Sequence, residues 1–111
     1  MSNTKRNAVI SLAFTMIAVN VTAVHADEYK AVQKDKTFKP ASLKVKVGDT
    51  VDFLNEDDFF HNVFSLSDIK SFDLGSYPKG QGRKVTFDKP GIVEVECSIH
   101  PEMQMKIEVT P

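Results

Sequence analysis

Several things are missing from this sequence, and each absence narrows what it can be. It has a single cysteine, Cys97, so no disulfide can form within the chain. No basic run exceeds two residues, which argues against nucleic acid as a partner. An apolar period of 3.6 residues never persists for ten residues, so the chain is not expected to be built from amphipathic helices. Internal repeats and low-complexity tracts are missing as well.

What is present begins with an export signature. Lys5 and Arg6 form a basic start, and Ala8 to Val19 (AVISLAFTMIAV) is an apolar run of twelve. Val24 and Ala26 occupy the −3 and −1 positions of a cut before Asp27. A bilayer span needs roughly 20 apolar residues, and polar Asn20 and Thr22 interrupt this run too early. Residues 1–26 are therefore expected to be a cleaved secretory signal. Residues 27–111 are then one domain, periplasmic and free of the membrane, with an uncleaved anchor as the rival reading. Losing Lys5 and Arg6 leaves 12 basic against 15 acidic residues, a net charge of about −3 on 85 residues. A domain of that size buries only ~60–70% of its unfolded surface. Small exported domains therefore often add disulfides or a metal. Here disulfides are excluded, and a metal is the staple that remains.

The organisation of the chain is that of short strands. SLKVKVGDTVDFLN alternates from Leu43 to Val47, breaks at Gly48-Asp49 and resumes at Val51 and Phe53. RKVTFDKPGIVEVEC repeats the form, with strands through Val85 and Phe87 and from Ile92 around a turn at Asp88 to Gly91. Met105, Ile107 and Val109 share one face of a last strand, and an earlier strand runs from Tyr29 to Gln33. Ser65 to Gly82 is less regular and is expected to be a long loop with one helical turn near Ser67 to Lys70. Short strands between Gly/Pro turns predict an all-β sandwich or barrel.

Parity turns Cys97 inward with Val93 and Val95, away from Glu94 and Glu96. A lone inward cysteine is ordinarily a small hydrophobe. Its neighbours change that reading: His100 follows across a turn held by Pro101, and Met103 and Met105 come next. The only other histidine after the leader is His61, between Phe59, Phe60 and Phe64, where an unpartnered imidazole would be costly to bury. Soft sulfur selects copper, zinc or iron–sulfur clusters over hard ions. Structural zinc sites use Cys and His rather than Met, and iron–sulfur clusters need several cysteines. Two His, one Cys and a weak axial Met suit a type 1 copper.

FKPASLKVKVGDTVDFLNEDDFFHNV and VTFDKPGIVEVECSIHPEMQMKIEV together resemble the small single-domain cupredoxins, the plastocyanin and amicyanin group, over residues 37–109. The resemblance implies an antiparallel Greek-key β-sandwich with one copper ion near one end, held by His61, Cys97, His100 and a methionine. The spacing Cys-x-x-His-x-x-Met and Pro101 favour Met103. Met105 as ligand would clip the final strand, and it is otherwise a core residue beside Ile107. Asn62 resembles the family residue that ties the two ligand loops together, with a plain turn asparagine as the alternative.

Every plausible ligand is used once and no histidine remains for a second copper centre, so a multicopper oxidase or nitrite reductase is excluded and electron transfer remains. The resemblance implies that electrons leave through His100, ringed by Ile99, Pro101 and either Phe59 or Phe60. Glu56, Asp57 and Asp58 are either a steering patch for a basic partner such as a c-type cytochrome or a solvated turn. A copper- or quinone-linked dehydrogenase is the other expected kind of redox partner, and the domain is expected to be a monomer rather than an enzyme. Two rivals stay open. One is a copper carrier or resistance protein on the same fold, against which the Met- and His-free start DEYKAVQKDK weighs. The other is a metal-free sandwich that dimerises through Cys97.

Overall fold

The computed structural model describes residues 25–111 and the isolated positions 13, 15 and 17, so the expected leader lies almost wholly outside the described residues. Among the described residues nine strands follow one another: β1 (Glu28–Lys34), β2 (Thr37–Lys39), β3 (Ser42–Lys46), β4 (Thr50–Asn55), β5 (His61–Ser67), β6 (Lys70–Tyr77), β7 (Gly82–Thr86), β8 (Gly91–Cys97) and β9 (Gln104–Thr110). They form two sheets, β2-β1-β4-β7 and β3-β9-β8-β5-β6, and the expected all-β sandwich is what the chain adopts. Most ladders are antiparallel, but β1 pairs with β4 and β3 with β9 in parallel.

Alternation sets the two faces. Val51 and Phe53 on β4, Val93 and Val95 on β8, and Met105, Ile107 and Val109 on β9 are buried, while the residues between them face outward. Phe38, Phe53 and Phe87 are buried in the core with Tyr77, and half-buried Phe72 packs against them, the phenylalanines in edge-on or tilted pairs 6.0 to 6.5 Å apart. Apart from the β1–β2, β5–β6 and β8–β9 hairpins, strands adjacent in sequence lie in different sheets. The β3–β4 turn crosses between them at Gly48 (φ 96°), a conformation that suits glycine. Beside it Asp49, 1% exposed, accepts N–H bonds from Asp27 (2.9 Å) and Lys46 (2.7 Å).

The long loop expected from Ser65 to Gly82 is not there. β5 and β6 form a hairpin that turns at Asp68-Ile69, with Ser67 opposite Lys70, and no helical turn forms. β6 is an edge strand whose Phe72 and Leu74 are only half-buried, so its alternation is muted by serines and Gly75. On the open side of the sandwich Arg83 of β7 lies over the Tyr77 ring, 4.8 Å from its centre, and donates to the Leu74 carbonyl of β6. One guanidinium thus bridges the edges of both sheets.

The topology brings four segments to one end. β4 stops at Asn55, β5 starts at His61, β8 stops at Cys97 and β9 starts at Gln104. Because β1 runs parallel to β4, the β1–β2 turn at Asp35-Lys36 arrives at this end too.

Candidate metal centre

His61 opens β5 fully buried, Cys97 closes β8 at 2% exposure, and the pairing of Val63 with Cys97 sets the two strands side by side. His100 sits half-buried in the turn that follows. The Cys97 Sγ lies 3.6 Å from His61 Nδ1 and 3.7 Å from His100 Nδ1, and the ligating atoms of all three residues fall within 4.8 Å of one another. Donors each roughly 2.0–2.3 Å from a common ion are separated by such distances, so the donor set fits one metal ion.

Met103 is also buried, at 1% exposure. Its N–H donates to the His100 carbonyl (2.9 Å) and its carbonyl accepts from the Cys97 N–H (3.3 Å), which closes the turn on itself. Met105 is elsewhere in kind: it lies opposite Val95 within the β8–β9 ladder, an inward core position.

A buried imidazole needs a partner on its far nitrogen, and His61 has one. Its Nε2 is 2.7 Å from Asp57 Oδ2, and Asp57 is itself only 3% exposed. An N–H at Nε2 bonded to a carboxylate leaves Nδ1 as a lone pair facing Cys97, the tautomer a ligand needs. Burial alone pushes the Asp57 carboxyl up, but the His61 ring and the N–H groups of Lys36 and Asp35 outweigh it and hold it below the usual carboxylate range. Burial first, then the neighbouring His61, holds His100 below its ordinary value, so its ring is neutral at neutral pH. Asn55 fixes the loop between β4 and β5. Its amide donates to the Phe59 (2.9 Å) and Tyr77 (3.0 Å) carbonyls, and its oxygen accepts from the Asp57 N–H (2.9 Å).

The acidic trio therefore divides. Glu56 and Asp58 are exposed, but Asp57 is neither a steering charge nor part of a solvated turn. Its role was missed, and so was that of Asn55, although a polar residue in the inward row of Val51 and Phe53 was a visible signal. Asn62 ties the ligand loops through its main chain: the Ser98 N–H donates to its carbonyl (3.2 Å), whereas its side chain reaches Ser76 (3.5 Å). Of the two phenylalanines it is Phe59 that packs on the two histidines, 5.3 Å from the His61 ring and 5.5 Å from that of His100.

A two-sheet β-sandwich that converges two imidazoles and a thiol on one buried point is the architecture of a small electron-transferring copper domain. Residues 25–110 match the model of the copper binding proteins of the plastocyanin/azurin family, and the chain belongs to that family. Methylamine utilization protein MauL of Methylorubrum extorquens is 30% identical over 110 residues, covering 98% of this chain and 96% of the relative. Amicyanin of Paracoccus denitrificans is 32% identical over 75 residues, 65% of this chain and 57% of that protein. A solved Cu(I) amicyanin variant superposes with a TM-score of 0.69 at 26% identity, over 74% of this chain and 81% of the other. The chain is a type 1 copper protein of electron transfer, not an enzyme.

Proposed function

We propose that this chain shuttles single electrons between redox proteins outside the cytoplasm, through one copper held by His61, Cys97, His100 and Met103. The observation that carries the reading is the convergence of two imidazole nitrogens and one thiol sulfur within 4.8 Å at the buried end of the sandwich. Copper supplies the one-electron couple, and the protein holds its donors alike in both oxidation states. Strand pairing at Cys97, the closed 97–103 turn and the Asp57 contact to His61 each limit rearrangement. Met103 is favoured over Met105 because it lies in that turn and not in the β9 ladder.

His100 is the exit. It is the one half-buried member of the set, beside exposed Ile99 and Pro101 and against Phe59. A small apolar face suits brief docking, since transient redox complexes bury modest areas. Of the exposed acids in the β4–β5 loop, Asp58 is paired with Lys79 at 2.8 Å. A c-type cytochrome or a copper- or quinone-linked dehydrogenase is the expected partner, and the signal-like sequence over residues 1–26 supports a periplasmic site of action.

The test is an absorbance titration of residues 27–111 with Cu(II), followed by ascorbate. An intense thiolate-to-copper band that saturates at one equivalent, bleaches and returns on reoxidation is the expected result. Copper bound without that band points to a carrier. Thiol oxidation to disulfide dimers points to a metal-free module.

A further inference from the structure

The copper end carries one feature that ligand binding alone does not require. The Asp57 carboxylate joins the ligand His61 to the β1–β2 tip. Oδ1 accepts the Asp35 N–H at 2.8 Å, while Oδ2 accepts the Lys36 N–H at 3.1 Å and meets His61 Nε2 at 2.7 Å. The tip needs such an anchor. Asp35 (φ 54°) and Lys36 (φ 57°) both hold left-handed backbone, in a two-residue turn that Asn-Gly would form with less strain.

The tip also belongs to the face through which His100 is reached. Lys36 lines a recess with Ile99, His100, Pro101 and Glu102, and its ammonium stands 5.7 Å from the centre of the Phe59 ring. That ring packs on both ligand imidazoles.

We propose that Asp57 is a positioning residue that couples metal loading to the order of the β1–β2 tip, so that a redox partner meets a fully formed docking edge only on the loaded protein. The proposal rests on the copper reading above. Without a metal the His61 ring is held firmly on its Nε2 side, while Nδ1 meets only the Cys97 sulfur at 3.6 Å. A metal on Nδ1 fixes the ring from the other side, and with it the carboxylate and the two amides that the carboxylate orders. Coupling of this kind is reciprocal: whatever the metal does for the tip, a partner gripping the tip does for the metal.

The far end of the sandwich supplies the control. Asp49 holds two N–H groups in the same way but touches no ligand.

The experiment is amide hydrogen exchange, read by NMR on the metal-free and Cu(I)-loaded protein. Loading is expected to slow exchange at Asp35 and Lys36 by about tenfold, inside the usual range of coupling between sites, and to leave Lys46 unchanged. In Asp57→Asn the difference at the tip collapses. Equal exchange at Asp35 and Lys36 in the empty and loaded wild type overturns the coupling, as does a difference that persists in Asp57→Asn. Should that variant not fold, the wild-type pair decides alone. Failure of the copper reading is a separate result, because it appears beforehand as a missing thiolate-to-copper band.

Discussion

Asp49 and Asp57 lie at opposite ends of the sandwich, and each is a buried carboxylate that accepts two main-chain N–H bonds beside a left-handed residue. At the far end the device closes the β3–β4 crossing and nothing more. At the copper end the same device has one further contact, to His61, and through it a turn becomes part of a metal centre. The comparison teaches that the site is not an addition to the fold. It is a fold-closing element with one imidazole attached.

The largest effect expected comes from removing the thiol. Cys97→Ser should abolish the thiolate-to-copper band altogether, and a band that survives would remove Cys97 from the ligand set. Next are the two aspartates. Asp49→Ala should cost about 2–4 kcal/mol in urea unfolding, for two charge-assisted bonds lost, and should leave the copper spectrum alone. Asp57→Ala should cost a similar amount and also shift the reduction potential upward, since a negative charge near the site favours Cu(II). A potential that stays put would make the two ends equivalent after all.

The ends also differ in how cleanly acid reads them. N–H bonds from Lys46 and Asp27 hold the Asp49 carboxyl below its ordinary value. A depressed carboxylate contributes stability that is fully present above the unfolded value, near 4, and is lost as pH falls through the folded one. The stability gap between wild type and Asp49→Ala should therefore be wide near pH 7 and narrow near pH 3. Urea midpoints at the two pH values measure it, and a constant gap would contradict the assignment.

Smaller effects should follow from the methionines. Met105→Leu keeps core volume and should cost under about 1.5 kcal/mol with an unchanged spectrum, whereas Met103→Leu should alter band position and potential. The reverse outcome would reassign the axial ligand. Leu66→Ser should be the quietest change. Leu66 is 76% exposed on the outer face of β5, so stability should move by less than about 0.5 kcal/mol.

How legible all this was depends on the kind of contact involved. Strands with strong contrast, such as β4, β8 and β9, were readable because apolar and polar residues alternate without interruption. The edge strand β6 was not, because half-burial permits serines and a glycine. The candidate ligands stood out because Cys and His are scarce in the chain and Cys97, His100 and Met103 cluster in sequence, with His61 the one remaining histidine after the leader. Asp57 did not, because it resembles its acidic neighbours and acquires its role from Asp35 and Lys36, some twenty residues away, which only the β1–β4 pairing brings near. Likewise the parallel ladders leave no local mark, since pattern gives a strand's faces but not its neighbour's direction.

The β3–β9 ladder sets an order of assembly. Ser42 has to wait for Lys106, and Lys46 for Thr110, before either strand is hydrogen-bonded to the other. Pairings so distant in sequence are slow to form. As the chain emerges from its N-terminus, the first sheet can gather from β1, β2, β4 and β7 while the second still lacks a member between β3 and β8. The turn from Cys97 to Met103 is held at its far side by that last member. The metal pocket is therefore expected to be among the last parts of the molecule to take shape, when the early chain offers copper only scattered donors.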